Sequence, residues 1–144
     1  PVSSTAGHGL MEGNPFAQNR YAQANQRFNS LMDIFAAGDL EAFGRIAEDE
    51  ALSLHALMML SDPSYLLMRP GSLGIIEKVR QYRADTGHQV YFSLDAGPNI
   101  HLLYPEDIIT DVRAFIGEEL SEFCQEGYFI QDSASAWNII PQPD

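Results

Sequence analysis

Asp95 ends the alternating apolar run Val90–Leu94 and passes straight into Ala96-Gly97-Pro98-Asn99. A strand end is rigid, Gly97 lets backbone approach a ligand closely, and Pro98 stiffens the exit, so this turn can present a carboxylate in a fixed place. An acid held that way can orient a hydroxyl or accept its proton. An acid that merely caps a hairpin turn has the same local sequence. Ser3 and Ser4, followed by Gly7 and Gly9, offer hydroxyls and backbone N–H groups to an anion, yet the glycine spacing and lysine of a phosphate loop are absent. A serine-rich loop without a ligand reads equally well. His55, in "LHALMM", has no second histidine at a ligand spacing and no HExxH pattern, which argues against zinc. A histidine on a half-buried helix face is ordinarily satisfied by its own structure. His8, His88 and His101 are scattered, and no metal site is read from the sequence.

These residues must be positioned by elements that the spacing of apolar residues outlines. Asn14-Pro15 opens a first helix with Tyr21, Ala24, Phe28, Leu31, Met32 and Phe35 turned inward, ending near Gly38. Asp39 caps a second, whose inward stripe is Leu40, Phe43, Ala47, Ala51, Leu54 and Met58. Ser72 caps a third, with Leu73, Ile76, Val79 and Tyr82 inward and Gly87 as its stop. "QVYFSL" and "NIHLLY" should pair antiparallel across the Asp95 turn. Pro105 opens a fourth helix carrying Ile108, Ile109, Val112, Phe115, Ile116 and Phe123, and "GYFIQ" reads as a short third strand. The expectation is an α+β fold, an antiparallel sheet packed against helices. Three strands under four helices leave room for one more, expected upstream of Pro1.

Composition narrows the function. At 144 residues the chain fits one domain. A formal charge of −12, with eight Lys and Arg against twenty acids, argues against nucleic-acid or anionic-membrane partners, which need a basic face. The single cysteine, Cys124, excludes an intrachain disulfide and fits a reducing compartment. No apolar run approaches the ~20 residues that span a bilayer, and no signal-peptide pattern opens the chain. The expectation is a soluble, cytoplasmic protein.

"VSSTAG" at residues 2–7, "LHALMM" at 54–59, "SYLLM" at 64–68 and "DAGPN" at 95–99 stand in an order that resembles the C-terminal domain of diphosphomevalonate decarboxylases. These belong to the GHMP superfamily of small-molecule kinases. The resemblance covers residues 1–132 and leaves 133–144 as an irregular tail. It implies a ferredoxin-like C-terminal domain lacking its first strand, and an ATP-dependent conversion of mevalonate 5-diphosphate to isopentenyl diphosphate in isoprenoid biosynthesis. In such enzymes the tertiary 3-hydroxyl is phosphorylated, and phosphate and carbon dioxide then leave. By the same resemblance Asp95 is the catalytic acid that meets the 3-hydroxyl, while Ala96, Ser3 and Ser4 line the substrate. Thr5 stands where some bacterial members carry arginine. ATP and Mg2+ would be bound mainly by an N-terminal half, because the superfamily's loop of form P-x-x-x-G-L-x-S-S-A occurs nowhere in these residues. The fragment alone would then be inactive, and the implied assembly is a homodimer. A related small-molecule kinase, a phosphomevalonate decarboxylase, and a non-catalytic binding module keeping the fold remain as alternatives.

Overall fold

A computed structural model describes residues 13–133. Helices α1 (Ala17–Ala37) and α2 (Leu40–Met59) form a hairpin. Gly38, at φ 66°, closes α1 in the left-handed conformation, and the Asp39 side chain accepts the Ala42 N–H at 2.9 Å to start α2. Across the hairpin Arg20 pairs with Glu50, and Arg27 pairs with Glu50 at 2.8 Å and Asp49 at 3.3 Å.

Those ion pairs explain why the inward face of α1 differs from the sequence expectation. Tyr21, Phe28, Met32 and Phe35 are each more than half exposed. The less exposed line is Ala17, Arg20, Ala24, Arg27, Leu31 and Ile34, also at helical spacing. Two arginines lie on it because α2 supplies acids for their charges while their stems cover apolar surface. Helix α2 departs similarly. Its most buried line is Gly44, Glu48, Ala51, His55 and Met58, with Leu40, Phe43, Ala47 and Leu54 only half-buried on its flanks.

Helix α3 (Pro70–Thr86) begins with proline in its first turn, so Ser72 lies inside the helix rather than capping it. Ser72, Ile76 and Val79 are buried, whereas Leu73 points outward. Strands β1 (Tyr91–Leu94) and β2 (Ile100–Leu103) pair antiparallel, with Tyr91 opposite Leu103 and Leu94 opposite Ile100. The expected long fourth helix is subdivided. A 3-10 turn (Glu106–Ile108) leads into α4 (Ile109–Phe115), which widens into a π-turn (Ile116–Leu120) before another 3-10 turn (Ser121–Phe123). The wide turn keeps Ile116 and Leu120 buried alongside Val112 and Phe115.

Residues 127–131 are not the expected third strand. Glu126 and Gly127 take positive φ, 54° and 73°, after which Tyr128 and Ile130 are largely exposed. β-formers make a strand only where a neighbour satisfies their backbone, and among the described residues no strand lies beside them. The core joins Ala51 of α2, Ile76 and Val79 of α3, Val90, Phe92 and Leu94 at β1, and Val112, Phe115, Ile116 and Leu120. Tyr82 stacks on Phe115 with centroids 4.1 Å apart. This is the expected α+β class, with a two-stranded antiparallel sheet against four α-helices among the described residues.

Candidate active site

Leu94 is buried and Asp95 exposed, so the chain passes from core to surface within one residue. Asp95 Oδ2 accepts a hydrogen bond from Asn99 Nδ2 at 3.2 Å. A Cβ added at Gly97 would lie 3.0 Å from Asp95 Oδ1, a tight contact, so glycine leaves the carboxylate clear room over the turn. Ala96 is exposed beside it.

The turn is tied to two helices from beneath. His55 Nε2 of α2 lies 3.0 Å from the Asp95 backbone oxygen. A carbonyl only accepts, so Nε2 carries the proton. Ser72 Oγ of α3 accepts the Arg69 N–H at 3.2 Å and donates to the Pro98 oxygen at 2.7 Å. His55 and Ser72 are 2% and 3% exposed, and polar groups buried so deeply are costly unless bonded. The start of β1 has its own anchor. Glu48 of α2, also buried, accepts Arg83 Nη1 at 2.7 Å, Arg83 Nη2 at 3.1 Å and the Phe92 N–H at 3.3 Å. Arg83 Nη1 further donates to the Val90 oxygen at 2.8 Å, and its guanidinium lies 4.8 Å from the Tyr91 ring centroid. The hydrogen bonds that Arg83 donates to Glu48 push the Arg83 pKa up despite the opposing effect of burial.

Of the residues singled out in sequence, Asp95 and Ala96 share this turn, and His55, read there as structural, contacts it from below. Ser3 and Ser4 lie outside the described residues. Ser72 and Glu48 carried no local signal for such roles, since Ser72 bonds a residue 26 positions away and Glu48 one 44 away, whereas Asn99 bonds Asp95 within the same five-residue motif. Among the described residues no three His, Cys, Asp or Glu gather to hold a metal, and no helix is long and apolar enough to cross a membrane.

The arrangement is an α+β domain that displays one braced carboxylate, and its fold is shared with solved mevalonate diphosphate decarboxylases. The enzyme from Enterococcus faecalis, in a structure concerned with mevalonate diphosphate mediated ATP binding, is 27% identical with a TM-score of 0.77, over 85% of this chain and 38% of its own. A structure of MDDEF in complex with MVAPP, AMPPCP and magnesium is 28% identical with a TM-score of 0.78, over 85% of this chain and 37% of its own. A phosphomevalonate decarboxylase from Haloferax volcanii is 26% identical over 101 residues, 70% of this chain and 31% of that protein. Residues 1–138 match the mevalonate 5-diphosphate decarboxylase C-terminal domain, and the chain belongs to that family. It spans 31 to 38% of the length of these relatives.

Proposed function

We propose that this chain supplies the substrate-orienting acid of an ATP-dependent decarboxylase that converts mevalonate 5-diphosphate to isopentenyl diphosphate. The observation that carries the reading is Asp95, exposed at the end of β1 on a turn pinned from below by two buried side chains. Phosphoryl transfer to a hindered tertiary alcohol is mainly a problem of positioning. In this role Asp95 accepts a hydrogen bond from the 3-hydroxyl, fixes the direction of the oxygen lone pair, and takes the proton as that oxygen becomes a nucleophile. When the C–O bond later breaks, the same carboxylate faces the tertiary carbon as it gains positive character. Ala96 borders the substrate, and Ser3 and Ser4 complete its lining. The nucleotide supplies the phosphoryl group and, with Mg2+, belongs mainly to an N-terminal half, so the fragment alone is inactive.

The reading places the protein in the cytoplasm, supported by its single cysteine, and makes it a homodimer. Pairing is supported by β2, which has β1 as its one strand partner among the described residues. A free strand edge invites another chain. At the start of β1, by contrast, the Val90 oxygen and Phe92 N–H already bond Arg83 and Glu48. A second reading, a monophosphate substrate, is favoured by the Haloferax volcanii relative. Comparing turnover of mevalonate 5-phosphate and 5-diphosphate by the two-domain protein separates them.

The test of the main reading is Asp95→Asn in the two-domain protein. Asparagine preserves size and removes charge, so kcat should fall ~10²-fold or more, the contribution expected of a positioned acid–base group. Melting should stay nearly unchanged because the side chain is exposed. Retention of most turnover would overturn the assignment.

A further inference from the structure

We propose that His55 is a positioning residue for Asp95, acting through the backbone, and that Ser72 makes the matching contact at the far end of the turn; this rests on the role given to Asp95 above. His55 occupies the buried line of α2 that faces β1, where an apolar side chain would ordinarily pack. Its hydrogen bond goes to the Asp95 oxygen, 40 residues away. That bond fixes the peptide plane that leaves Asp95. The pairing of Leu94 with Ile100 fixes the strand that enters it. With backbone held on both sides, the carboxylate keeps only its side-chain torsions; the hydrogen bond from Asn99 restricts those, and the bare Cα of Gly97 leaves room for the position it selects. Ser72 then stops the turn from lifting at Pro98. Two helices thus set the direction of an acid that itself faces solvent.

A histidine that merely fills the core makes a different prediction from one that aims the acid. His55→Leu removes the donor and keeps apolar volume, whereas His55→Gln keeps an N–H donor on an arm of comparable length. In the two-domain protein, His55→Leu should lower kcat about tenfold or more while changing KM less than about threefold, since misplacing a reacting group by about 1 Å can cost ~10²-fold. His55→Gln should recover most of that loss. Hydrogen exchange at the amides of residues 96, 97 and 99 should quicken in His55→Leu and in Ser72→Ala, with exchange in α4 unchanged. If His55→Leu does not fold, Ser72→Ala carries the same expectation for kcat and exchange from a different helix.

Full kcat in folded His55→Leu, or no recovery by His55→Gln, would overturn the proposal. Asp95→Asn is run in parallel. If it keeps turnover, the role of Asp95 fails and His55 falls with it. If it is impaired while His55→Leu is not, the positioning role alone is refuted.

Discussion

Glu48→Ala is expected to cost the isolated chain a large part of its stability. The carboxylate is 7% exposed and accepts three hydrogen bonds, two from Arg83 and one from the Phe92 N–H. Removing one partner of a buried ion pair costs ~3–5 kcal/mol, because the surviving charge is left uncompensated. The Arg83 side chain is 27% exposed and keeps its bond to the Val90 oxygen, so water reaches it and the low end, about 3 kcal/mol, applies. The Phe92 N–H, on a fully buried residue, loses its acceptor as well and adds about 1 kcal/mol. The sum, about 4 kcal/mol, compares with ~5–15 kcal/mol for a whole domain. Glu48→Gln keeps an oxygen for Phe92 and one bond to Arg83 and should cost about half as much. Urea denaturation followed by far-UV circular dichroism, extrapolated to water, measures both. A Glu48→Ala variant within about 0.5 kcal/mol of the parent, as at an unremarkable surface site, or Gln worse than Ala, would refute the reasoning.

Two further outcomes are expected. Gly44→Ala places a Cβ 2.1 Å from Tyr91 Cγ, so the buried ring must shift, and the ~1–3 kcal/mol cost of overpacking should outweigh alanine's helix preference; equal melting temperatures for parent and variant would contradict it. Burial alone would raise the Glu50 carboxyl, yet hydrogen bonds and charges from Arg27 and Arg20 bring it below its ordinary value of 4.5. A lowered carboxylate contributes stability above its unfolded pKa and loses it as pH falls through the folded one, so melting should drop below about pH 4.5 with a step that Glu50→Gln lacks; an identical acid profile in that variant would rule the ion pairs out as its cause.

The Asp95 turn was legible because Gly and Pro after an alternating run constrain the backbone locally. Helix boundaries at Gly38, Asp39 and Gly87 were legible for the same reason. The inward faces of α1 and α2 were legible only in part, at Ala24, Leu31, Ala51 and Met58. Their central positions hold Arg20, Arg27, Gly44, Glu48 and His55, residue types that a pattern of apolar side chains assigns to solvent. Each is explained by a partner that sequence alone does not place: an acid on the neighbouring helix, a ring pressed on a glycine, a backbone group of β1. The strand expected at residues 127–131 failed for a related reason, since β-propensity describes a fit to neighbours that this segment lacks among the described residues.

The central line of α2 meets β1 in sequence order. Gly44 abuts the Tyr91 ring, Glu48 accepts the Phe92 N–H, and His55 bonds the Asp95 oxygen. Eleven residues of helix advance about 16 Å at 1.5 Å each, and four residues of strand about 13 Å at 3.3 Å each. The two lengths nearly match, so α2 runs along β1 in the same direction at a modest inclination, with a contact at each end of the strand. A close glycine contact and a buried ion pair fix where β1 begins, and the histidine fixes where it ends. The position of the acid is therefore set by the same packing that holds the domain together. Loss of the Glu48 contact would be felt mainly in folding. Loss of the His55 contact, at the end of the strand that carries the carboxylate, would be felt mainly in where the carboxylate points.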